Sequence, residues 1–202
     1  MTTTKRTLNE TLDRSSRALA AAVLAALLSG CGSDTGATPS DAPSDAPPAG
    51  CTGGVLEADL EADPLSGPGV EPATGALLPP PEGSSYTVSA TYGMPRPGEA
   101  VMEKYVQYFG AIQAQLASQP GLVAIQLAQS PSCGSGRTLA VWSSTEAMYE
   151  FVMSPAHLAA MDAVNELLLP NYAVTHWEAA GPDDVTMAEG ALHIQATDAR
   201  TR

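Results

Sequence analysis

Leu122-Val123-Ala124-Ile125-Gln126-Leu127-Ala128 and Thr138-Leu139-Ala140-Val141-Trp142 are two short apolar runs joined by Ser130-Pro131-Ser132-Cys133-Gly134-Ser135-Gly136. The joining stretch has the composition of a hairpin loop, so the runs read as paired strands. What flanks them decides the fold. Upstream, Glu99 to Ser118 places Met102, Tyr105, Phe109, Ile112 and Leu116 at three- and four-residue spacing, which predicts a helix with one apolar face. Pro120-Gly121 ends it. Further upstream, Tyr86, Val88, Ala90 and Tyr92 alternate with Thr87, Ser89 and Thr91 in a strand pattern that Pro95 and Pro97 break.

Downstream of the hairpin, Ser143-x-x-Glu146 reads as a capping box opening a second helix. Ser154-Pro155 interrupts that helix and starts another, with Ser154 as cap and Pro155 at its first position. Met161, Val164 and Leu168 continue the apolar face, Pro170 stops it, and Tyr172 to Glu178 forms the last strand. The predicted order is β-α-β-β-α-β across residues 83–181, the ferredoxin-like plan of the α+β class. Its sheet carries helices on one face, and the other face must find cover or meet water. Residues 182–202 read as a polar tail, although Ala191 to Ile194 could add a short element.

The chain's beginning is of another kind. Lys5, Arg6, Arg14 and Arg17 precede the apolar run Ala18 to Leu28, and small residues follow at the exit. These are the parts of an export signal over residues 1–30. The run is too short to span a bilayer, which takes about 17–25 residues. Leu28-Ser29-Gly30-Cys31 resembles the lipobox of bacterial lipoproteins. That resemblance implies cleavage before Cys31 and acylation of its thiol. The palmitate-type chains would anchor the protein in the cell envelope, with its domain outside the cytoplasm. Each buried methylene contributes about 0.8 kcal/mol, and two chains hold a protein stably where one does not.

The 202 residues hold nine basic and 22 acidic side chains. Four of the former and two of the latter lie in the signal, so the remainder has a formal charge of −15. No Lys or Arg occurs between Arg17 and Arg96. Such a surface disfavours nucleic acid, whose binding is driven by neutralising phosphates, and disfavours anionic lipid headgroups equally. Residues 31–82 read as a disordered tether, rich in Ser, Asp, Ala, Thr, Pro and Gly. They repeat Ser40-Asp41-Ala42-Pro43 as Ser44-Asp45-Ala46-Pro47 and run through Pro79-Pro80-Pro81. Cys51 and Cys133 are left after Cys31. Export makes a disulfide between them plausible, and two unpaired thiols are the alternative. If they pair, the second half of the tether lies against the domain.

Arg137-Thr138-Leu139-Ala140-Val141-Trp142-Ser143-Ser144 leads into Glu146-Ala147, then Phe151, Ser154 and His157. A strand ending in Trp-x-Ser, then a helix with a spaced Phe and a Ser-x-x-His, resembles the antibiotic biosynthesis monooxygenase-like proteins. The resemblance implies the dimeric α+β barrel, in which two ferredoxin-like protomers press their open sheet faces together as a homodimer. It also implies a space between sheet and helices that can hold a small aromatic substrate, or haem in haem-degrading members. Haem degraders use an Asn on the first strand and a Trp and a His ten residues apart on the second helix. Here the strand lacks the Asn, and Phe151 and Met161 fill the helix positions. That departure argues against haem, and no cofactor is expected. The quinone-oxidising members need none.

Trp142, Tyr86, Tyr92, Phe151, Met161 and Trp177 are the candidate ligand-binding residues, and His157 is the candidate catalytic acid, base or hydrogen-bond donor. Packing competes as a role for Trp142, and Tyr86 and Tyr92 share a strand face suited to a dimer contact. His157, His176 and His193 lack metal-ligand spacing, so no metal is expected. Three functions remain open: a binding module for a small hydrophobic or aromatic molecule, a cofactor-free monooxygenase acting on one, or an interaction domain with a filled interior.

Overall fold

A computed structural model describes residues 46–200. Cys31, the signal and the first part of the tether lie outside the described residues. The elements are β1 (Glu61–Ala62), β2 (Tyr86–Gly93), α1 (Glu99–Leu116), β3 (Leu122–Ser130), β4 (Ser135–Trp142), α2 (Thr145–Val152), α3 (Pro155–Asp162), α4 (Val164–Leu167), β5 (Ala173–Ala179) and α5 (Met187–Arg200). The sheet order is β1-β3-β4-β2-β5 with every neighbour antiparallel. The four long strands and the helices between them form the expected ferredoxin-like α+β fold.

Alternation in β2 separates the two sides of the sheet. Thr87, Ser89 and Thr91 point toward the helices, where Thr87 Oγ1 meets Thr145 Oγ1 at 2.9 Å. Ile125, Leu127, Ala140 and Trp142 share that side and pack with Leu116, Met148 and Phe151. Tyr86, Val88 and Ala90 point the other way, with Ala124, Leu139, Val141 and Ala179. The hairpin turns through Gly134 at φ 62°, and the Gly134 amide donates to Ser130 O at 2.8 Å. Ser154 caps α3 as expected, accepting from the His157 amide, with Pro155 at the first position. The cap of α2 is Ser144 rather than Ser143: Ser144 Oγ accepts from the Ala147 amide at 3.2 Å.

Two stretches depart from expectation. Residues 51–82, read as disordered tether unless Cys51 pairs with Cys133, are folded against the sheet, and that disulfide is present. Cys51 is disulfide-bonded to Cys133, with Cα atoms 5.7 Å apart. Glu57 accepts from Arg137 Nε at 2.7 Å and from Ser135 Oγ at 2.6 Å. Asp59 accepts from Ser130 Oγ and the Ser132 amide. Those hydrogen bonds hold the exposed Asp59 carboxyl below its ordinary range, that from Ser130 most. Further along, Ser66 and Ile125 exchange backbone hydrogen bonds at 3.0 and 2.7 Å, and Leu77 is buried. Composition misled because the segment is held by backbone and ionic contacts to distant residues, with few apolar side chains of its own. The second departure is the polar tail. Residues 187–200 form α5, which lays Ala191 and Ile194 against the domain. Gly190 lets it come close, since a Cβ there would stand 3.1 Å from Ala90 Cβ.

While β1 and residues 63–69 extend the sheet at the β3 edge, α5 and parts of residues 51–82 lie on the sheet face away from α1 to α4. Leu65, Val70, Val185 and Met187 pack there against Val88, Ala124, Leu139 and Val141. The face that the resemblance gives to a second copy is thus covered by the chain itself.

Candidate functional site

On the helical side, α1, α3 and α4 leave a cavity of about 230 Å³ above the sheet. It arises from a mismatch of side-chain size. Ser89, Thr91, Thr138 and Ala140 line its floor and are too small to fill the space beneath Tyr105, Phe109 and Ile112 of α1. A dry cavity of about 150 Å³ takes benzene, so the space suits a substituted ring or two fused rings.

Trp142 ends β4 and is 1% exposed. Its Nε1 donates to Ser89 Oγ at 2.9 Å, which fixes the indole and satisfies its polar atom. Phe151 stacks on Trp142 with centroids 5.3 Å apart, and His157 meets Phe151 edge-on at 5.1 Å. Because α2 ends and α3 restarts at Ser154-Pro155, His157 falls in the first turn of α3. Its Nδ1 lies 3.0 Å from Val152 O. A carbonyl can only accept, so Nδ1 carries the proton and Nε2 is left as an acceptor in the neutral ring. Burial lowers the His157 pKa, with the Val152 carbonyl opposing it more weakly. Across the cavity, Tyr105 and Phe109 lie 6.0 Å apart in near-parallel planes, and burial raises the Tyr105 phenol.

Among the described residues no Asp, Glu or Lys lines this space. Arg137 borders it, but its guanidinium is engaged on the other side of the sheet by Glu57, Gly53 O and Val55 O. Such a site suits an uncharged ligand, since burying an unpaired charge here would be costly.

The fold brings Trp142, Phe151, His157 and Met161 together around the cavity. Met161 and Val174 are its exposed apolar lining residues and mark its opening. Tyr92 borders one end, but its ring lies on the opposite face, packed with Cys51 and Ile194 and 4.8 Å from the Arg137 Cζ. Tyr86 and Trp177 lie on the opposite face. Tyr86 donates to Leu78 O at 3.0 Å, while Trp177 stacks on His193 at 4.4 Å and donates to Asp184 O. The wall from α1 and the Ser89 anchor were missed as site residues. Their signal was present in the small polar residues of β2 that face a helix of large aromatics.

No protein-family model matches the sequence, and no curated protein does. Among solved structures, the chain is similar to Rv0793 from Mycobacterium tuberculosis, at 25% identity over 46% of this chain and 93% of that one, with a TM-score of 0.41. It is similar to PA3566 from Pseudomonas aeruginosa at 17% identity, over 46% and 93%, with a TM-score of 0.40. It is also similar to SnoaB, a cofactor-independent oxygenase from Streptomyces nogalater, at 21% identity over 47% and 91%, with a TM-score of 0.36.

Proposed function

We propose that this is an exported, lipid-anchored protein whose α+β domain binds a small uncharged aromatic or hydrophobic molecule. The observation that carries the binding reading is the cavity itself, walled by Trp142, Phe151 and His157 and free of lining carboxylates and lysines. A filled interior would have favoured an interaction domain. Export and anchoring rest on the signal-like start and the lipobox-like tetrad at Cys31. The Cys51–Cys133 disulfide suits an oxidising compartment and supports the same reading. The test titrates the protein with 1-naphthol and follows Trp142 fluorescence in a Trp177→Phe background. Saturable quenching is expected, and Ala140→Met, which fills the floor, should abolish it. Absence of saturable quenching by 1-naphthol, phenol and 1,4-naphthalenediol alike would count against the binding reading.

One observation favours catalysis as a second reading: with Nδ1 bonded to the Val152 carbonyl, Nε2 of the neutral His157 can accept the hydroxyl proton of a bound hydroquinone as the ring passes electrons to oxygen, the ring being oxidised and oxygen reduced. Oxygen uptake with reduced quinones, lost in His157→Ala, would establish it. No protein-dependent uptake would leave binding alone.

A further inference from the structure

We propose that the chain acts as a single protomer, with α5 and the stretches of residues 51–80 that fold over from the β3 edge occupying the sheet face on which a second copy would pack, in place of the homodimer that the resemblance implies. An antiparallel sheet with helices on one side must bury its other side. Here that burial is complete within one chain: Val88, Ala124, Leu139, Val141 and Ala179 are each 0% exposed. Nothing apolar at the centre of this face remains to be covered.

The cover is also fastened. The disulfide holds its start to the β3–β4 hairpin. The Arg137–Glu57 pair follows, with side chains 3% and 4% exposed, and Arg137 donates in addition to Gly53 O and Val55 O. Next, β1 pairs with β3, and the Ser66 and Gly69 amides donate to Ile125 O and Val123 O. Gly67 has φ 149° and lies so close to β3 that a Cβ would strike Val123 O. A second copy could reach the face only by displacing this whole segment, which leaves buried ionic and backbone groups without partners. The cavity needs no partner either, because one chain supplies its floor and both aromatic walls.

The experiment uses the full chain carrying Cys31→Ser, which cannot be acylated. Light scattering over a range of micromolar concentrations should return the mass of one chain, 20.7 kDa. Amide exchange at Val88, Leu139 and Val141 should be the same at the lowest and highest concentration. A twofold mass, or exchange at those amides that slows as concentration rises, would overturn the proposal.

Discussion

At the scale of single residues, the chain shows two ways of treating a buried polar group. Arg137 and Glu57 are both almost fully enclosed, and each of the three guanidinium nitrogens donates to an acceptor. Removing one member leaves the other charged, buried and unmatched. Arg137→Met should therefore cost about 3–5 kcal/mol in urea unfolding. The double variant with Glu57→Gln should recover part of that loss. His157 is treated differently, since it is half-buried, neutral and hydrogen-bonded through its Nδ1. Its folded pKa lies below the ordinary 6.5. Stability from this group is full above that value. It declines as pH falls below 6.5, because the unfolded chain takes the proton first, and the loss is complete below the folded pKa. Urea midpoints should fall between about pH 7.5 and about pH 5.5, and His157→Gln should flatten part of the fall. Asp59, whose pKa is lowered from 3.8, contributes a loss only in more acidic solution.

At the scale of elements, short helices and an irregular segment depend on local devices. The eight-residue α3 starts from Ser154 Oγ and the fixed φ of Pro155. Ser154→Ala should cost about 1 kcal/mol by thermal or urea unfolding and loosen the turn that aims His157. Residues 51–82 bury few apolar side chains, so their order depends more on cross-links. The disulfide closes a separation of 82 residues. Replacing both Cys51 and Cys133 by Ser should lower stability by about 4–5 kcal/mol on the chain-entropy model. Exchange should rise first in residues 51–60. If 51–60 kept its protection while α1 lost it, the fastening role assigned to the disulfide would be wrong.

At the scale of the whole molecule, charge and the proposed anchor act in opposite senses. The sequence beyond residue 30 carries a formal −15, so anionic headgroups repel it. If Cys31 is acylated as proposed, membrane attachment should survive washing in high salt. Cys31→Ser should move the protein into the soluble fraction, as cell fractionation would show. A Cys31→Ser protein that stayed with membranes would point to another anchor.

Element order and strand faces were legible in the sequence because they depend on local periodicity. The alternation of Tyr86 to Tyr92, the helical spacing of Met102 to Leu116 and the Gly-rich loop after Ser130 each report on their own neighbourhood. The aromatic set Trp142, Phe151 and His157 was legible too, since one strand end and the two helices that follow it carry all three. What only tertiary structure decided was what covers the second sheet face and where the void lies. Residues 51–82 fold through Arg137, Cys133 and the backbone of β3, partners more than 50 residues away that no local pattern reveals. The placement of Tyr86 and Trp177 away from the cavity, and of Ser89 within it, follows from which side of β2 the helices occupy. A strand's own sequence marks two faces, but only packing says which one borders the cavity.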